Sequence, residues 1–94
     1  MVKVIYKYQL SIKDYQEILL PKDSEILTVQ SQGETACMWV LIDLNEPERF
    51  ARKIEIFGTG QIFNYDTGVD RKYISTFQMH GGKLVFHAFE YTGV

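Results

Sequence analysis

Residues 73–79 read Tyr73-Ile74-Ser75-Thr76-Phe77-Gln78-Met79, and residues 83–91 read Lys83-Leu84-Val85-Phe86-His87-Ala88-Phe89-Glu90-Tyr91. Between them stands only His80-Gly81-Gly82. Each run alternates and is rich in aromatic and β-branched residues, which suit a pleated, half-buried surface. Two glycines supply the positive φ angles that a tight reversal needs. The stretch therefore predicts an antiparallel hairpin, with Phe77, Phe86 and Phe89 as core by alternation.

The same pattern extends outward from this hairpin. Residues 2–10 and 15–20 form short runs, the second halted by Pro21, which cannot continue a ladder. Pro21-Lys22-Asp23-Ser24 reads as a turn. Residues 25–32 and 36–43 flank Gly33-Glu34, a second hairpin signal. The 36–43 run is apolar on both faces, which places it centrally, with Met38, Val40 and Ile42 on one side and Cys37, Trp39 and Leu41 on the other. Trp39 reads as a core anchor, with a pocket wall as the alternative. Asn45-Glu46-Pro47-Glu48 is a polar break or one helical turn. Residues 50–57 resume a strand, opposing Arg52, Ile54 and Ile56 to Lys53, Glu55 and Phe57. Residues 64–72 carry turn and charge signals and read as the longest loop. No helical stripe of useful length appears. The expectation is one all-β domain over residues 1–94, a small antiparallel sandwich or partly closed barrel of about seven strands with little helix.

Composition bounds the function. The chain has 94 residues, 46% apolar and 23% charged, with a formal charge of −2. Surface scaling gives about 5,600 Å² folded against about 15,800 Å² unfolded, enough for one core. The charge balance argues against general nucleic-acid binding. Cys37 is the single cysteine, so there is neither an intrachain disulfide nor a cysteine zinc site. That usage suits a reducing cytoplasm. No run of about 18 apolar residues spans a membrane, and the start has no signal-peptide core.

Catalytic templates fit poorly. Ser11, Ser24, Ser31 and Ser75 have no G-x-S-x-G context. Cys37 sits among apolar neighbours and reads as a buried structural thiol. His87 and Glu90, three apart on a strand, point to opposite faces, so His80, His87 and Glu90 do not make a metal set. Non-enzymatic function, with no metal and no cofactor, is the expectation. Gly58-Thr59-Gly60 leaves a strand and is either a phosphate-holding nest or an ordinary glycine turn. Phe57 and Phe63 flank it, and Arg52 and Arg71 are available as an anion clamp. Gln78 and His80, two apart, share a face near the hairpin tip. His87 reads as a satisfied, partly buried histidine.

The Phe57-Gly58-Thr59-Gly60 turn, followed by the Phe77-Gln78-Met79-His80-Gly81-Gly82-Lys83-Leu84-Val85-Phe86-His87-Ala88-Phe89-Glu90 hairpin, resembles a family of small phage proteins. Ile5-Tyr6-Lys7-Tyr8, Pro21 and Ala36-Cys37-Met38-Trp39 fit the front half. The resemblance points to viral anti-CBASS cyclic-nucleotide sponges. It implies a phage anti-defence protein in the host cytoplasm that sequesters a cyclic dinucleotide such as cGAMP, or a cyclic trinucleotide, without cleaving it. A homo-oligomer with intersubunit pockets would hold the ligand. On the shared motifs, Phe57 and Tyr73 stack, Arg52, Gly58, Thr59 and Gly60 meet phosphate, and Gln78 and His80 read base or ribose. The alternative is a protein-interaction module inhibiting a host protein through an exposed sheet edge.

Overall fold

The computed structural model describes residues 2–64 and 70–93. Seven strands follow in chain order: β1 Lys3–Leu10, β2 Gln16–Pro21, β3 Glu25–Gln32, β4 Thr35–Asp43, β5 Arg49–Gly58, β6 Arg71–Met79 and β7 Leu84–Tyr91. Every backbone ladder is antiparallel. They build a three-stranded sheet, β1-β4-β3, and a four-stranded sheet, β2-β5-β7-β6. The sheets are not closed into a barrel. No helix among the described residues is long and apolar enough to cross a membrane.

The core lies between the inner faces. β4, central as expected, contributes Ala36, Met38, Val40 and Ile42, against Ile54 and Ile56 of β5, Phe77 and Met79 of β6 and Ala88 of β7. Burying a side chain such as Phe77 contributes about 1.5–3 kcal/mol. Trp39 is not in this core. It is half-buried on the outer face of the first sheet, between Lys7 and Thr28, because Met38 and Val40 take the inward parity. Cys37 shares that outer face and is nevertheless buried, flanked by Gln9 and Gln30.

Both hairpins form. Gly33 and Glu34 alone join Gln32 to its partner Thr35, and positive φ at the first loop position (61°) is the type II′ signature. The C-terminal loop has four residues, since Met79 pairs with Leu84 and Lys83 belongs to the turn. His80 joins the two glycines at positive φ there, at 53°.

Three further readings need correction, and one pair of alternatives is settled. Pro21 is the last residue of β2 and pairs with Arg49. The register turns its backbone toward the sheet's free edge, where a missing N–H breaks no ladder bond. Arg71 and Lys72 open β6 instead of ending a loop, and residues 65–69 of the expected loop lie outside the described residues. The break after β4 is a turn closed by Asp43, whose Oδ1 accepts from the Asn45 N–H at 2.9 Å; no helical turn forms. Phe89 lies on the outer face of the second sheet, since Phe86 and Ala88 take the inner one.

The two sheets meet along β3 and β6, which share no backbone ladder. Side chains join them instead. The Ser75 hydroxyl donates to the Val29 carbonyl at 2.6 Å and accepts from the Val29 N–H at 2.9 Å. The Ser31 hydroxyl donates to the Gln78 carbonyl at 2.6 Å. Both strands carry irregularities here, between Ile26 and Thr28 and between Tyr73 and Ser75. An extra residue bends a strand and breaks its alternation. Past these bulges the strands part, and a cleft opens between the sheets.

Candidate functional site

The cleft measures about 290 Å³ and is lined by Ser24–Leu27 of the β3 approach, Arg52 of β5, Lys72–Ile74 of β6 and Glu90 of β7. Its floor is an ion pair. Arg52 sits one step beyond Ile54 and Ile56 on the inner face, and Glu90 one step beyond Phe86 and Ala88. The Arg52 guanidinium reaches both Glu90 oxygens, Nη2 donating to Oε1 at 3.0 Å and Nε to Oε2. Its Nη1 donates to the Ser24 carbonyl at 2.9 Å. Two-point pairing fixes the guanidinium plane, as Arg–carboxylate forks do. Lys72 and Tyr73 stand exposed at the rim.

The outer face of the same sheet carries a separate cluster. Phe63 stacks on Phe57 with centroids 4.0 Å apart, and Tyr73 meets Phe89 edge-on at 5.7 Å. Arg71 forks onto Glu55, Nε to Oε1 at 2.6 Å and Nη2 to Oε2 at 3.2 Å, with both side chains about nine-tenths buried. Its guanidinium lies 5.7 Å from the Phe63 centroid and 5.8 Å from that of Tyr91. Arg52 and Arg71 therefore occupy opposite faces of one sheet, each with its own carboxylate. They do not form a common anion clamp.

His87 bridges two threonines on this outer face. Its Nε2 lies 2.7 Å from Thr59 Oγ1 and its Nδ1 3.0 Å from Thr76 Oγ1. The Thr59 hydroxyl also donates to the Val85 carbonyl, at 3.3 Å, so it accepts from His87. That assigns the proton of a neutral ring to Nε2 and makes Nδ1 the acceptor from Thr76. Thr76 then accepts from the Tyr73 hydroxyl at 2.6 Å. The satisfied histidine expected from sequence is present. His87 and Glu90 do face opposite ways. Among the described residues, no three His, Cys, Asp or Glu side chains gather as metal ligands would.

The sequence-predicted residues are brought together only in part. Arg52 and Tyr73 line one cleft. Gly58 and Thr59 line another, of about 310 Å³, with Lys83 and Leu84–Phe86. Gly60 is exposed in the intervening turn, and Phe57 is buried beneath Phe63. The glycine turn spends its donors internally. Gly58 N–H donates to Gln61 Oε1, Thr59 N–H to the Val85 carbonyl, and Gln61 N–H to the Gly58 carbonyl, at 2.9–3.0 Å. Amides already engaged this way make a poor phosphate nest. Gln78 is exposed on β6. His80 lies beyond the strand end, its Nδ1 3.1 Å from Glu34 Oε2 at the neighbouring hairpin. The strand parity expected to unite Gln78 and His80 stops at Met79.

Sequence reasoning missed Glu90, Ser24 and Lys72. A signal for Glu90 existed. The rows Arg52-Ile54-Ile56 and Phe86-Ala88-Glu90 each end an inward apolar series with a charge, and buried charges need partners. Lys72 was hidden by the loop reading.

No curated protein and no solved structure matches the sequence. A family model described as a domain of unknown function (DUF7352) matches residues 1–93, and the chain belongs to that family.

Proposed function

We propose that the protein binds a cyclic oligonucleotide in the β3/β6 cleft and holds it without cleaving it. One observation carries the reading: Arg52, chosen from sequence for phosphate contact, lines the cleft between the sheets with Lys72, while Tyr73 borders it with its ring turned to the outer face. Arg52 is held in orientation by Glu90 and Ser24, so little ordering of its guanidinium is still to do. Lys72 adds a mobile positive charge at the rim. The volume lies at the lower end for ligand pockets, which suits one nucleotide unit inside and the rest of the ring across the rim. Sequestration of a bacterial immune signal is the role that the resemblance of the hairpin implies.

The test is a thermal-shift panel of cyclic di- and trinucleotides, with the ligand recovered and analysed after heating. A ligand that binds the native state at 100 times its Kd stabilises it by about 2.7 kcal/mol. We expect a clear rise in midpoint with intact ligand recovered, reduced in Lys72→Ala. Arg52→Ala is unsuitable, because it leaves Glu90 buried without its partner. An unchanged midpoint across the panel would overturn the proposal, as would recovery of cleaved ligand.

A further inference from the structure

Among the described residues the two sheets have four edges, and three of them are closed or blunted. β3 and β6 close on each other through Ser75 and Ser31. β2 has six residues and directs Pro21, without an N–H, at its free edge. β1 is different. It runs eight residues and pairs on one side only, with β4. The Leu44 N–H donates to the Val2 carbonyl at 3.0 Å, which fixes the phase of that ladder. Val4, Tyr6, Tyr8 and Leu10 therefore bond to β4, and Lys3, Ile5, Lys7 and Gln9 turn their backbone N–H and C=O groups outward. Ile5 and Tyr6, at the middle of the strand, are 55% and 46% exposed.

We propose that β1 pairs antiparallel with β1 of a second copy of this chain, in the register centred on Tyr6. Charge selects both partner and register. Centring on Ile5 would set Lys3 against Lys7 of the second copy. Centring on Lys7 would set the two Lys7 side chains against each other. Like charges directly opposite are destabilising. Centring on Tyr6 sets Lys3 against Gln9 and Ile5 against Lys7, so no lysines meet. Lysine commonly guards an edge against any incoming strand. Here the two lysines reject the two neighbouring registers; centring on Val4 or Tyr8 also keeps them apart but overlaps fewer residues of the strand. The Lys7 ammonium also donates to Gln32 Oε1 on β3. The product is a six-stranded sheet running across both copies, independent of any ligand.

Sedimentation velocity across a concentration series reads the mass, and single cysteines placed in a Cys37→Ser background read the register. The full chain should sediment at twice its 10.9 kDa. Opposed residues of a non-hydrogen-bonded pair have Cα atoms about 4.5 Å apart, within disulfide reach. Tyr6→Cys should therefore cross-link to itself under mild oxidation, and Ile5→Cys and Lys7→Cys should not. Ile5→Pro removes an outward N–H and no ladder bond to β4, so it should give a monomer with an intact melting transition. A monomer at every concentration would overturn the proposal. So would cross-linking at Ile5→Cys or Lys7→Cys in preference to Tyr6→Cys, or a dimer that survives Ile5→Pro. Should Ile5→Pro unfold, the cysteine pattern still decides.

Discussion

The Tyr15 hydroxyl donates to Glu17 Oε2 at 2.7 Å, and this bond holds the phenol's pKa above its ordinary 10.0. Losing the proton would break the bond and set an anion beside the carboxylate. A folded pKa above the unfolded one gives a contribution that is complete below pH 10. It is lost as pH rises through the folded value. Glu17→Gln should move one tyrosine of the ultraviolet phenolate titration downward, and Tyr15→Phe should remove that component. An unchanged Glu17→Gln titration would show that the bond does not form. The buried ion pairs behave differently. Arg71–Glu55 and Arg52–Glu90 are enclosed, so removing one member leaves an uncompensated charge, a loss of about 3–5 kcal/mol in such sites. Arg71, read as loop and set beyond the β6 bulge, showed no face from sequence, whereas the faces of Arg52, Glu55 and Glu90 were legible in alternating strands. Which carboxylate met which guanidinium was not, because β5, β6 and β7 are adjacent only through sheet order.

Hairpins were the most legible elements, since their turn residues are local. Gly33 and Gly82 separate two costs of adding a side chain. Gly33 has φ 61° and open space around a built Cβ, so Gly33→Ala should cost only the left-handed backbone penalty, about 1–2 kcal/mol. Gly82 has φ 88° and a built Cβ 3.1 Å from Gln78 Oε1. Gly82→Ala should therefore lose more in urea unfolding, and the excess should vanish in a Gln78→Ala background. Equal losses would mean that Gln78 swings aside freely. Alternation failed where an element was irregular. Read without a break, Tyr73, Ser75 and Phe77 share a face. The bulge turns Tyr73 outward against Phe89 while Ser75 and Phe77 point inward. Turn chemistry does not announce such a bulge; it accompanies the junction of two sheets.

At the scale of the molecule, that junction rests on few groups. Ser75 satisfies both backbone groups of Val29 at a buried seam, where no backbone ladder links the sheets. Ser75→Ala leaves them without that partner and should cost about 1–3 kcal/mol, read as a lower urea midpoint with an unchanged slope. A midpoint within error of the parent chain would show that the seam closes by packing alone. The candidate cleft exists because the seam opens past Ser75, and it gathers residues from segments far apart in the chain. The sequence by itself determined the strands, the two hairpin turns, the central place of β4 and the inward rows of the core. Periodicity and turn chemistry are written in neighbouring residues. Only the tertiary structure decided that Trp39 faces outward, that Arg52 and Arg71 lie on opposite faces, and that Tyr73 and Arg52 share a cleft. Those outcomes depend on sheet order, bulge position and the pairing of edges, all contacts between residues that alternation along one strand cannot relate.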